Sequence, residues 1–218
     1  MPNRVVETLA ASAAMRPGTG VPGHPTLDTQ IFLHINAFAR ATPWLHPIVS
    51  AYLGTAALLF VGLALTGLFV ARRRMSATAM AAALWAPVAT VIAARLNQPL
   101  AAAVGKVRPY VAHSGVLALT SRAGPSFPSH RAVEIGAIAA GMLLVHRYLA
   151  VTAVIAALTV GFADVYTAAH YPQDELAGFV VGAAICLIGF DLTRRPLCWS
   201  LKLLGRTRFR RLITVTPG

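Results

Sequence analysis

Residues 47–71 run for 25 positions without a charged side chain and stop at Arg72-Arg73-Arg74. A helix of that length reaches about 37 Å, longer than the roughly 30 Å of hydrocarbon in a bilayer. Only structures that satisfy their own backbone hydrogen bonds persist in that solvent, so the run predicts a transmembrane helix. Similar runs follow at 76–94, with a kink expected at Pro87 and an end near Arg95 and Asn97, and at 132–145, leading into His146-Arg147. Two more lie at 149–162 and at 175–190, the second closing on Arg194-Arg195. The expected fold is therefore all-α, a polytopic membrane helix bundle with five transmembrane helices. Residues 31–41 are apolar but interrupted by His34, Asn36 and Arg40 and stopped by Pro43, which predicts an N-terminal interfacial helix, or a sixth span.

Composition narrows the functional classes. The chain is 56% hydrophobic with mean hydropathy +0.64, and 19 Lys plus Arg against 7 Asp plus Glu leave a net charge of +12. A nucleic-acid partner would need those cations clustered among aromatics on a polar surface, whereas here they sit at the ends of apolar runs. They mark topology, with attraction to anionic lipid as a by-product. Cys186 and Cys198 have neither metal-ligand spacing nor a disulfide framework. The expected organisation is a loose N-terminal tail at 1–26, a membrane domain at 27–195 and a basic cytoplasmic tail at 196–218. Within that tail, residues 197–211 alternate Leu, Trp and Phe with Lys and Arg, as a helix lying on a membrane face would.

With the basic clusters on the cytoplasmic side of the cell membrane, three polar stretches fall together on the extracytoplasmic face. They are the segment from Gly105 through Lys106, Arg108 and Pro109 to Tyr110, the segment Phe127-Pro128-Ser129-His130-Arg131, and the turn running from Asp164 through His170 to Asp174. Together, in order and spacing, they resemble the signature of the type 2 phosphatidic acid phosphatase (PAP2) superfamily, membrane lipid-phosphate phosphatases, over roughly residues 47–190.

The resemblance implies a PAP2-like membrane fold and a set of roles. Arg108, followed by Pro109, would grip phosphate, and Ser129, after Pro128, would donate a hydrogen bond to a phosphoryl oxygen. His170 matches the nucleophile and Asp174 the carboxylate that orients it. The chemistry is sound apart from the family: a neutral imidazole can attack phosphorus, and a carboxylate on its other nitrogen would fix the tautomer and stabilise the cation that develops. Pro172 suits the first turn of a helix, whose N-terminal amides would then favour a bound anion beside His170. Ser129 by itself is equally well an N-cap.

Three positions depart from the family pattern. Its lysine falls at Ala101, its second histidine at Arg131 and its third-motif arginine at Asp164. A guanidinium does not release its proton near neutrality, so Arg131 cannot act as general acid but can still bind phosphate and neutralise its charge, and His130 is the neighbouring candidate for the acid. Lys106 or Arg95 could replace the missing lysine. Asp164 either pairs with Arg131 or, with Asp174 and Glu134, forms a metal site. Three functions follow. The first is phosphatase action, without cofactor, on a prenyl or polyprenyl phosphate or diphosphate. The second is Mg²⁺-dependent ionisation of a prenyl diphosphate, as in a terpene synthase or cyclase. The third is non-catalytic binding of a lipid phosphate.

Overall fold

The computed structural model describes residues 26–205, and every regular element among them is helical. Helix α1 (Leu27–Ala41) is followed by a short 3-10 turn at Pro43–Leu45, then by α2 (His46–Arg73) and α3 (Ala77–Val104). After these come the single turn α4 (Pro109–Ala112), then α5 (His130–Val145), α6 (Arg147–Tyr166) and α7 (Pro172–Leu204).

Four segments are long and apolar enough to cross a membrane: Pro43–Arg73, Ala77–Ala112, Arg147–Tyr166 and Pro172–Leu204. The fifth span expected at 132–145 is α5, which has only 16 residues and reaches about 24 Å. Its Val133, Ala137, Met142 and Val145 are buried, because α3, α6 and α7 surround it. It is the centre of the bundle. The lipid-facing surface lies on its neighbours, where large side chains such as Leu58, Leu65, Val91, Ile155, Val180 and Ile188 point outward.

Glycines set the spacing at that centre. A Cβ at Gly182 would overlap the Val133 carbonyl, and one at Gly178 would lie 2.6 Å from Ala132 Cβ and 2.8 Å from Ser129 O. Small residues four apart on α7 thus let the backbone of α5 approach, as in close-packed membrane helices. The two helices are locked in register, which brings the first turn of α5 beside the first turn of α7.

Several boundaries differ from expectation. Helix α3 passes through Pro87 and Pro99 and ends only at Gly105, whose left-handed φ of 60° caps it. The polar connection therefore starts at 105 rather than 96, and Asn97 and Ala101 become helix positions facing the bundle. Helix α7 continues past Arg194 and Pro196, so no break falls at 195/196, and Leu201 is buried against Ala79–Ala83 rather than lying on a membrane surface. Residues 206–211 of the expected surface helix, and residues 1–25 of the expected tail, lie outside the described residues. Thr26 caps α1 by accepting from Thr29 N, which starts that helix at 27 rather than 31. At 15 residues α1 is too short to cross, and Phe32, Asn36 and Ala39 form its buried stripe. Asn36 pins the connection by exchanging hydrogen bonds with the backbone of Leu117 at 2.8 and 3.0 Å.

The helices alternate in direction. The ends carrying Arg72–Arg74, Arg147 and Arg194 gather at one side of the bundle, where Arg74 donates to the Val145 carbonyl at 2.7 Å. The C-termini of α3 and α6, the N-termini of α5 and α7 and the long connection meet at the other.

Candidate functional site

At that second end Arg108 leaves the extended backbone before α4 and turns inward, with 8% of its surface exposed. Its Nε donates to the Gly124 carbonyl at 3.0 Å and one terminal nitrogen to the Ala169 carbonyl at 3.0 Å. The same nitrogen lies 3.0 Å from His170 Nε2. His170, buried in the turn between α6 and α7, has Nδ1 at 2.7 Å from the Ser126 carbonyl. A carbonyl only accepts, so Nδ1 carries the proton and Nε2 presents its lone pair to Arg108. Burial first, and the Arg108 charge second, push this imidazole down to about 3. It is a neutral base at any physiological pH.

Asp174 is fully buried and does not touch His170 among the hydrogen bonds of the described residues. It accepts from Ser126 Oγ at 2.5 Å, from Lys106 Nζ at 2.7 Å and from Tyr171 N at 3.0 Å. The expected carboxylate-to-imidazole contact is replaced by Ser126, whose carbonyl meets Nδ1 while its hydroxyl, 3.5 Å from that nitrogen, holds Asp174. The physical reason is the capping geometry of α7, which turns Asp174 back onto the helix start.

The same geometry removes the anion site expected at the α7 N-terminus. Asp174 occupies the Tyr171 amide and Asp28 of α1 takes the Gln173 amide at 2.9 Å. Lys106 is likewise engaged by carboxylates. It bridges Asp174 and Asp28, the latter at 3.5 Å, over the Tyr171 ring at 4.3 Å, and so ties α1 to α7. Ser129 is fully buried as the N-cap of α5, accepting from Ala132 N at 3.3 Å, and does not line the cleft.

The cleft itself has a volume of about 670 Å³ and is walled by Asn97, Gln98, Arg108, Arg122, His130, Arg131, Glu134 and His170. Arg131 donates to both oxygens of the buried Asp164, at 2.9 and 3.2 Å, and Arg122 lies 4.0 Å from the same carboxylate. His130 Nε2 pairs with Glu134 at 3.3 Å on the exposed rim, and that hydrogen bond raises its tendency to hold a proton against the effect of burial. Arg95 is exposed and does not line the cleft.

The expected metal donors do not converge. Asp164 is taken by arginines, Asp174 by Lys106 and Ser126, and Glu134 by His130. Among the described residues no three His, Cys, Asp or Glu side chains form a group that could hold a metal ion. These residues do not fit a magnesium site.

Two residues were not foreseen. Ser126 gave no signal beyond its place between prolines. Arg122 had one, since it is the sole Asp, Glu, Lys or Arg between Arg108 and Arg131.

Comparison with known proteins bears on the family and the fold. A family model described as the PAP2 superfamily matches residues 82–196. The undecaprenyl-diphosphatase BcrC of Bacillus subtilis (strain 168) is 36% identical over 90 residues, 40% of this chain and 47% of that protein. The chain thus spans about half the length of that curated relative. Among solved structures, LpxE of Aquifex aeolicus superposes with a TM-score of 0.61 at 20% identity, covering 79% of this chain and 99% of the other. A PAP2 type phosphatidylglycerolphosphate phosphatase from Bacillus subtilis gives 0.56 at 21% identity, covering 86% and 93%. At those identities the likeness is one of fold.

Proposed function

We propose, from the premise that this chain belongs to the PAP2 superfamily, that it is a membrane phosphatase taking a phosphoryl group from a prenyl or polyprenyl phosphate or diphosphate through His170. The observation that carries the proposal is the imidazole itself, neutral, with its Nδ1 proton on the Ser126 carbonyl and its Nε2 lone pair facing Arg108 in the cleft. The name of the BcrC relative supports a lipid diphosphate as the substrate class.

The chemistry proceeds on side chains alone. Phosphoryl oxygens draw the Arg108 guanidinium away from Nε2. The freed lone pair forms the N–P bond while the bond from phosphorus to the leaving oxygen breaks and its electrons pass to that oxygen. The charge on the imidazole is met by the Ser126 carbonyl, with Asp174 acting through the Ser126 hydroxyl. Water then attacks phosphorus, the P–N electrons return to Nε2, and the water's proton leaves with inorganic phosphate. His130, whose hold on a proton is strengthened by the hydrogen bond to Glu134, is the group on this wall able to give a proton to a departing alkoxide. The site lies at the end of the bundle opposite the arginine clusters, which by charge bias is the extracytoplasmic side of the cell membrane.

Membranes carrying the chain, incubated with farnesyl, geranylgeranyl and longer prenyl mono- and diphosphates, test this by product mass. Inorganic phosphate with the alcohol or lipid monophosphate is expected. Pyrophosphate with a hydrocarbon or cyclised alcohol would instead indicate a prenyl diphosphate lyase or cyclase, and tight binding without turnover a lipid-phosphate binder. Full phosphate release by His170→Ala would remove the phosphohistidine.

A further inference from the structure

We infer that Arg122, Asp164 and Arg131 form a specificity frame for a second phosphoryl group, so that the cleft is built for a diphosphate in preference to a monophosphate. This rests on the phosphatase function proposed above and names the residues that choose its substrate.

The frame is a single buried carboxylate set between two guanidiniums. Asp164 has no exposed surface, accepts from Arg131 at 2.9 and 3.2 Å and stands 4.0 Å from Arg122. One carboxylate can orient both cations but neutralise only one. Their side chains stay partly open, at 22% and 34% exposure, and both line the cleft that holds Arg108 and His170. Of the three arginines, only Arg108 touches the imidazole, so it serves the phosphoryl group being transferred. Arg122 and Arg131 are joined to Asp164 instead. Guanidinium forks suit the terminal oxygens of phosphate, and such charge-assisted contacts are the stronger kind.

The connection is shaped to deliver Arg122. The Tyr110 hydroxyl donates to the Arg122 carbonyl at 2.6 Å and accepts from its amide at 3.0 Å, clamping the backbone at that residue.

The leaving group points the same way. In a diphosphate the N–P bond forms as the bridging P–O bond breaks, and the electron pair stays on the bridging oxygen, which becomes a terminal oxygen of the lipid monophosphate. That oxygen leaves as an anion, needs no proton and can be held by a guanidinium. A monophosphate would expel an alkoxide, which needs a proton that Arg131 cannot give and that must come instead from His130 on the exposed rim. Arginine in place of a histidine acid is thus a handicap for one substrate and an aid for the other.

The test uses the purified full chain in detergent micelles. The ratio of kcat/KM for farnesyl diphosphate to that for farnesyl phosphate is measured in wild type, Arg122→Gln and Asp164→Asn. Wild type is expected to favour the diphosphate, and the ratio to fall about tenfold or more in Arg122→Gln, the loss expected of one charge-assisted contact. A ratio unchanged by both substitutions overturns the frame. Calorimetric titration of His170→Ala with inorganic pyrophosphate and with orthophosphate reads the frame without turnover. Tighter pyrophosphate binding that disappears in His170→Ala with Arg122→Gln supports it, and equal affinity for the two anions overturns it. Pyrophosphate preference together with no phosphate release by wild type would support the frame and reject the phosphatase function.

Discussion

His170 Nε2 and a guanidinium nitrogen of Arg108 lie 3.0 Å apart with both side chains buried. In the proposed phosphatase mechanism nucleophile and anion grip therefore share one contact, which a phosphoryl oxygen must break before the imidazole can attack. Two backbone carbonyls, of Gly124 and Ala169, hold the guanidinium in place from the connection and from the turn. The site is assembled around this arginine as much as around the histidine.

Arg108→Lys is expected to lower kcat/KM by about 100-fold, because an ammonium cannot span the two carbonyls and the imidazole as the planar fork does. Stability should fall by about 1–3 kcal/mol as buried acceptors lose their donor. Steady-state kinetics and thermal denaturation check both, and an unchanged KM would show that phosphate is gripped elsewhere.

His170 carries a pH signature. Its imidazole is held down to about 3, below the usual value near 6.5, so the unfolded chain binds the extra proton first. The stability that comes from keeping it neutral is fully present above about pH 6.5 and is lost as pH falls toward 3, by about 1.4 kcal/mol per unit. Unfolding followed from pH 7 to 4 should show this slope in wild type and lack it in His170→Gln. A slope shared by both proteins would assign it to another group.

Ser126→Ala removes the hydroxyl that holds Asp174 and leaves the carbonyl on Nδ1 intact. A loss of about 1–3 kcal/mol in stability is expected from a buried carboxylate losing a donor. The rate of phosphohistidine formation should fall more than KM rises, because imidazolium charge builds only as the bond forms. Rapid-quench kinetics would reveal this split, and a wild-type rate would detach Asp174 from the chemistry.

Glu175 sits in the first turn of α7 at 3% exposure near the Ser129 hydroxyl, and neither carboxyl oxygen reaches full hydrogen-bond geometry with a partner among the described residues. A buried polar group without a partner costs about 1–3 kcal/mol. Glu175→Met, which keeps the bulk and removes the oxygens, should raise the thermal midpoint. A lowered midpoint would show that the Ser129 hydroxyl holds this carboxyl.

Much of the architecture was legible because hydropathy is a local property. The runs at 47–71, 149–162 and 175–190 lie inside helices long enough to cross, and their arginine ends share one side. The run at 132–145 is a helix as expected, but an apolar segment buried by protein reads like one buried by lipid, and only the structure places α5 among α3, α6 and α7. Arg95 and Asn97 misled in the other direction, as a helix end that α3 runs past to Val104.

At the site the sequence by itself determined which chemistry-bearing residues exist and that three distant stretches belong to one membrane face. The motif order placed Arg108 and His170, which do meet. Tertiary structure alone decided the partners. Lys106 faces Asp28 and Asp174 rather than the cleft, Ser129 caps a helix, Ser126 stands between carboxylate and imidazole, and Arg122 arrives from the connection to share Asp164 with Arg131. The reason is physical: burial of charge in a low-dielectric bundle forces each ionised group to find a counterpart, and which counterpart is in reach depends on how helices far apart in the chain come to lie side by side.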